Sequence, residues 1–234
     1  MQVVGQWGWR KLFMPPHVAR QRNHIVKILK LKLDNQGIDW SKVIGNPLVL
    51  ITGDGGSLID DVKEFESWGI PHDLYCCNRS LLYFQRQVDH WAAIDIEESC
   101  WFSQNVNEKV QKCKPILRHT IGECPIAYDV FWEMDYKWDN EFQRRVFVGN
   151  TGYFAILSAL AMGYKKVIIG GMPIDGNPHW YEPEVTEGPN WSGLTYRQWM
   201  DFKMLSPDSD RVKSLSGYSS FILGRATKEW AKED

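Results

Sequence analysis

Short, continuously apolar runs recur along this chain, each set apart from the next by a stretch with helical spacing. Val49-Leu50-Ile51 and Val167-Ile168-Ile169 are the clearest. They are rich in β-branched residues, too short for helices, and lack the in–out alternation of a sheet with one wet face. That is the pattern of strands covered on both sides. Strands are expected at 48–52, 74–77, 91–94, 115–118, 146–148, 166–169 and 211–215. Helices are expected at 58–68, 81–87, 97–105, 153–162 and 219–232, with Gly69, Pro71 and Gly163 as stops. Such alternation folds as a mostly parallel sheet with helices on both faces. The expectation is a Rossmann-like α/β domain over 46–234, with a lid-like segment at 176–208 that in an alternative reading is a separate helical lid. A helical arm over 1–45 precedes the domain.

The charge is divided along the same boundary. Residues 1–45 hold eight Lys/Arg against two Asp/Glu, whereas the remainder carries 19 basic and 27 acidic residues. The arm reads as an amphipathic helix over 17–33, with Val18, Ile25, Ile28, Leu29 and Leu33 opposite Arg20, Arg22, Lys27, Lys30 and Lys32. It suits packing on the acidic body, contact with nucleic acid, or an anionic surface. The composition, 44% hydrophobic and 24% charged, is that of a globular chain. The longest apolar candidate for a membrane span, 154–172, is interrupted by Lys165 and Lys166, and the first residues carry no signal-like apolar core. Cys76, Cys77, Cys100, Cys113 and Cys124 make neither a disulfide framework nor a zinc motif, so a reducing cytoplasm is expected. Of the twelve tryptophans, Trp180, Trp191 and Trp199 fall in the lid-like segment, as stacking surfaces or as ordinary packing.

Ligands of open α/β sheets bind beyond the carboxyl ends of the strands, so the residues that follow each strand are the candidate site. They are Thr52-Gly53-Asp54-Gly55-Gly56-Ser57, then Asn78-Arg79-Ser80, Asp95, His119-Thr120, Gly149-Asn150-Thr151-Gly152, Gly170-Gly171 with Asp175, and finally Ser214, Ser216, Gly217 and Ser219. Two of these are small-residue turns that open directly into helices. Such turns serve either as tight connections or as cradles that bring a phosphate to free backbone N–H groups. Neither has the spacing of a P-loop or of a dinucleotide fingerprint.

The segment Leu50-Ile51-Thr52-Gly53-Asp54-Gly55-Gly56-Ser57-Leu58 resembles the "GNGPSL" turn of bacterial lipooligosaccharide sialyltransferases. A related superfamily, holding flagellar-glycosylation proteins and archaeal hydroxymethylpterin pyrophosphokinases, shares that turn. Cys77-Asn78-Arg79 is similar to the family's "CN" element. Thr151-Gly152-Tyr153 with Ala159 to Gly170 is similar to its SGxYxxxxAxxxGYKxIxLxGxD segment, and Val212 to Ser216 to its last core strand. The resemblance implies a cytidine-nucleotide sugar lying across the glycine turn, Asn78 and Asn150-Thr151-Gly152, with Ser216 beside it. It further implies an inverting transfer in which a histidine takes the acceptor proton and a tyrosine steadies the departing phosphate. His179 and Tyr181 are the positions that match. Asp54 stands where the family has an amide, Gly56 where it has proline, and Pro173 where it has aspartate.

Histidine holds a neutral imidazole near neutrality, as a general base must. His179 lies in a polar loop, with His119 as second choice. Asp95-Ile96-Glu97 reads either as a helix N-cap or as half of a Mg²⁺ or Mn²⁺ site. Three functions follow: a nucleotide-sugar-dependent glycosyltransferase, a Mg²⁺-dependent nucleotidyl or pyrophosphoryl transferase using Asp54 and Asp95, or a non-catalytic nucleotide binder. Their partners are a nucleotide or nucleotide-sugar, an acceptor, and a second copy of the chain in a homo-oligomer.

Overall fold

The computed structural model describes residues 31–33, 38–94, 113, 115–121, 128–134, 150–182 and 192–233. Eight strands form one sheet: β1 (Leu31–Leu33), β2 (Leu48–Thr52), β3 (Asp73–Cys77), β4 (His90–Ala92), β5 (Leu117–Ile121), β6 (Val130–Met134), β7 (Lys166–Gly170) and β8 (Val212–Ser214). Their order is β1-β6-β5-β4-β3-β2-β7-β8. All pairings are parallel except that of β1 with β6. The fold is therefore α/β and Rossmann-like. The chain steps from β2 outward to β3, β4, β5 and β6, then returns to β7 on the other side of β2. The topological switch point lies between β2 and β7, whose ends are level because Thr52 is opposite Gly170.

The described α-helices are α1 (Leu58–Glu66), α2 (Thr151–Met162), α3 (Ser192–Leu205), α4 (Gly217–Leu223) and α5 (Lys228–Lys232). Successive strand residues point to opposite faces. Val49, Ile51, Tyr75, Val167 and Ile169 meet α2 together with Trp199 and Phe202 of α3. Leu48, Leu50, Leu74 and Ile168 meet Val62 and Phe65 of α1 and Ala231 of α5. Ten of the twelve residues of α2 are buried, which is why its sequence shows no amphipathic stripe. The Asn150 side chain caps it by accepting from the Tyr153 N–H at 2.9 Å, and Gly163 ends it at φ 109°.

Several boundaries differ from expectation. Leu31–Leu33 is an edge strand rather than the end of a helix, and residues 1–30 of the arm lie outside the described residues. Val130–Met134 is an additional strand. The expected strand at 146–148 and helix at 97–105 lie outside the described residues. The helix expected at 81–87 is a 3-10 turn over Asn78–Tyr83. The closing helix is two helices, because Gly224 at φ 92° breaks it and Arg225 bridges back to Ser214. Within the lid-like segment, Ser192–Leu205 is the crossover helix from β7 to β8, and its Trp199 and Phe202 are core residues.

A polar chain crosses the core. Asp73 accepts from the Gly45 N–H at 2.8 Å, the Asn46 amide at 2.7 Å and the Tyr164 hydroxyl at 2.8 Å. Tyr164 Oη lies 2.7 Å from His90 Nε2, His90 Nδ1 lies 3.0 Å from His119 Nε2, and Trp132 Nε1 donates to His119 Nδ1 at 3.0 Å. Both ends dictate one direction, since a carboxylate only accepts and an indole only donates. The protons run from Trp132 to His119, His90, Tyr164 and finally Asp73, and both imidazoles are neutral. Burial holds His90 down at about 4 and His119 well below its ordinary value.

Neutral buried histidines must bind protons when the chain unfolds in acid. Their contribution is complete above pH 6.5 and is lost as pH falls toward 4. For His90 alone the loss is about 3 kcal/mol. Urea unfolding between pH 7.5 and 4.5 should show that decline, and a flat profile would contradict the relay.

Candidate functional site

At the switch point the turn after β2 and the loop after β7 are bound directly to each other. Gly53 N–H donates to the Gly170 carbonyl at 2.9 Å, and Gly55 N–H to the Gly171 carbonyl at 2.7 Å. A Cβ at Gly53 would lie 2.5 Å from Met172 Cγ, one at Gly55 2.5 Å from Pro173 Cδ, and one at Gly152 2.5 Å from Met172 Sδ. In the sequence these glycines allow either a tight connection or the approach of a ligand. The structure gives them to the approach of the chain's own loop, because Met172 and Pro173 occupy the space their side chains would fill. Gly56 faces the Pro178 carbonyl at 3.0 Å in the same way.

A buried carboxylate lies beneath this junction. Asp61, in the first turns of α1, accepts from Gly171 N–H at 2.8 Å, Ser216 Oγ at 2.6 Å and Ser57 Oγ at 2.9 Å. It thereby joins the loops that follow β2, β7 and β8. Burial raises its carboxyl pKa above the ordinary value, and the donated hydrogen bonds offset only part of the rise. Ser216, expected beside a ligand, has its hydroxyl committed to Asp61 and Ser57. In the sequence Asp60 and Asp61 look like a charge complement to the helix dipole, a role that does not require the burial Asp61 has.

Above the junction, residues 178–182 run back across the glycine turn. His179 forms an antiparallel bridge with Gly55, and Trp180 N–H donates to the Asp54 carbonyl at 3.0 Å. The Trp180 ring packs edge-on against Tyr83 at 6.0 Å, which anchors the segment. The half-exposed His179 imidazole stacks on Tyr181, with centroids 5.3 Å apart and planes 2° from parallel. Its Nδ1 is 2.9 Å from Glu182 Oε2, which also accepts from the His179 N–H at 3.1 Å. These two contacts hold the Glu182 carboxyl below its ordinary value. The Arg79 guanidinium sits over the Tyr181 ring at 5.4 Å. Asp54 accepts from the Arg79 N–H at 3.2 Å, so its carboxylate fastens the turn after β2 to the turn after β3.

Asn78 opens that second turn at φ 50°, a left-handed conformation that asparagine tolerates better than most residues. Its carbonyl accepts from Trp91 Nε1 at 2.8 Å, and its buried Oδ1 has no hydrogen-bond partner among the described residues. Asn150 reaches α3 through Thr195 Oγ1 at 2.8 Å, and Thr151 is buried at the start of α2. The structure thus gathers Gly53, Asp54, Gly55, Gly56, Ser57, Asn78, Asn150, Thr151, Gly152, His179, Tyr181 and Ser216 along one sheet edge. Asp95 lies outside the described residues. His119, the second choice for a base, is fully engaged in the core relay. Among the described residues no three His, Cys, Asp or Glu side chains converge as a metal site, and no helix is long and apolar enough to cross a membrane. Glu182 and Asp61 join the site from the structure, and Arg79, known from the sequence only as a residue following β3, is placed over the Tyr181 ring.

No protein-family profile, characterised protein or solved structure matches this chain.

Asp61→Ala leaves the Gly171 N–H without its acceptor and cuts the serines down to each other, at a cost of about 2–3 kcal/mol. Asp61→Asn keeps one acceptor oxygen and should lose about half as much. Urea denaturation of the two variants checks the order, and equal stabilities would refute the clamp.

Proposed function

We propose that this chain is a cytoplasmic nucleotide-sugar-dependent glycosyltransferase with His179 as general base. One observation carries the reading: a carboxylate on Nδ1 of a half-exposed histidine, held directly over the turn at the C-terminal edge of a parallel sheet. Glu182 on Nδ1 favours the tautomer with its proton there, which leaves the Nε2 lone pair to accept a proton from substrate. The resemblance to the sialyltransferases points the same way and supplies the CMP-type donor.

In this reading the acceptor hydroxyl gives its proton to His179 Nε2 as its oxygen bonds to the anomeric carbon. The bond from that carbon to the donor phosphate breaks, and the electron pair leaves with the nucleotide. Arg79 and the Tyr181 phenol stand beside His179 as the groups that meet the developing phosphate charge. The buried Asn78 Oδ1 is an acceptor for a ribose hydroxyl or an exocyclic amine. The alternative reading, a metal-dependent nucleotidyl transfer, would use Asp54, whose Oδ2 accepts from the Arg79 N–H, together with Asp95.

Thermal-shift measurements with CMP, UDP, GDP and ADP ligands, with and without Mg²⁺, identify the donor, since a ligand of the folded state raises apparent stability. With that donor, His179→Ala should lower turnover by about 10²–10⁴-fold and leave nucleotide affinity nearly unchanged. Glu182→Gln, which keeps the side-chain shape but removes the charge beside the imidazole, should have a smaller effect and shift the pH profile. Unchanged turnover in His179→Ala removes the histidine from the mechanism, and a chain that binds none of the four nucleotides refutes the reading.

A further inference from the structure

A concavity lies on the same sheet edge, beyond β7 and β8. It has a volume of about 570 Å³ and is lined by Asp175, Tyr196, Gly217, Tyr218 and Phe221, within the size range of small-ligand sites. Its rings are unusually open for aromatic side chains: Tyr218 is 58% and Phe221 83% exposed. Isolated exposed rings are ordinary, but three aromatic residues converging from α3 and α4 on one hollow are not.

Among the described lining residues the charged one is Asp175, and its position is set by the backbone around it. Ile174 lies at φ 56°, an outlier for a β-branched residue. The loop is locked on one side by α4, whose Tyr218 N–H donates to the Pro173 carbonyl at 2.8 Å. A Cβ at Gly217 would lie only 2.4 Å from that same oxygen. On the other side Asn177 donates to both carboxylate oxygens, from its backbone at 3.1 Å and its amide at 2.7 Å. Each oxygen keeps further lone-pair capacity. The carboxylate is thus held in place at the rim and still able to accept.

We infer that this hollow binds a neutral sugar, and, on the transferase reading above, that it is the acceptor subsite. A pyranose presents an apolar C–H face that packs on aromatic rings and a rim of hydroxyls that donate to a carboxylate and exchange hydrogen bonds with phenols. The charge excludes uronic and sialic acids, which would bring a second carboxylate against Asp175. The location is compatible with this, because Asp175 at the hollow and His179 over the glycine turn are carried by the same loop.

Saturation-transfer NMR on the whole chain tests this without any nucleotide, using methyl β-glucoside, methyl β-galactoside, N-acetylglucosamine, cellobiose and glucuronate as probes. At least one neutral sugar should bind saturably at millimolar concentration and glucuronate should not. Phe221→Ala and Asp175→Asn should each weaken that binding about tenfold or more, and neither should change the nucleotide-induced thermal shift. Phe221 is solvent-exposed, so its variant folds irrespective of the outcome. No saturable binding by any neutral probe, or binding that both variants retain, overturns the inference while leaving the nucleotide reading intact. Loss of the nucleotide shift in Phe221→Ala makes the hollow a nucleobase pocket instead. A change of sedimentation with that substitution assigns the rings to a second copy of the chain. Either result also overturns it.

Discussion

One buried carboxylate holds the functional edge of this protein together. The loops after β2, β7 and β8 are separate in sequence, and nothing in a parallel sheet requires them to touch. Asp61 makes them one body by accepting from Ser57, Gly171 and Ser216 at once. An ionised side chain in that position is costly to desolvate, and only the converging donors offset the cost. The glycines complete the junction, since Gly53 and Gly55 let Met172 and Pro173 come within contact of the turn. Everything above it, including the bridge from His179 to Gly55, rests on a platform that Asp61 fixes.

The two polar systems of the molecule solve different problems. The relay from Trp132 to Asp73 is closed: every nitrogen and oxygen along it is matched, its direction is set from both ends, and it lies within the core. Such a network specifies how β3 to β6 pack beside the Tyr164 turn, and it has no open position for a substrate. The edge cluster is open. Its histidine is oriented by one carboxylate and one ring, with the second nitrogen uncommitted by that geometry. Three histidines therefore look alike in sequence, yet only His179 has the exposure a base needs.

Much of the fold is legible because its signals are local. Apolar runs such as 48–52 and 166–170 can be covered strands and little else, and Gly163 marks the end of α2 in the sequence as in space. Val130–Met134 is not among the expected strands, although Asp129 and Asp135 bound it and its Val-Phe-Trp run has the β-forming composition. The edge itself was legible in outline, since residues that follow parallel strands must meet there. What each one does there was not. Glycine turns look the same in sequence whether a phosphate or a methionine fills the missing side chain, and only the position of Met172 distinguishes them. Asp61 left a clue that charge reasoning hides: it shares the buried stripe of α1 with Leu58, Val62 and Phe65, where a solvated aspartate has no place.

The loop from Gly171 to Glu182 links these results. Its first residues seal the switch point against the glycine turn, and its middle, forced through the left-handed Ile174, holds Asp175 at the rim of the aromatic hollow. Its end carries His179, Tyr181 and Glu182 back over the turn after β2. Both halves are anchored to the sheet edge, one through Pro173 to α4 and the other through Trp180 to Asp54. A single short connection thus spans from the β8 side of the sheet to the β3 side, crossing the point where α/β sheets open. His179 and Asp175 are four residues apart on that span, so any ligand that engages both is registered by the loop's own conformation. The placement of His179 and Asp175 then depends less on side-chain rotamers than on the hydrogen bonds that fasten this loop to Asp61 and to the glycine turn beneath it.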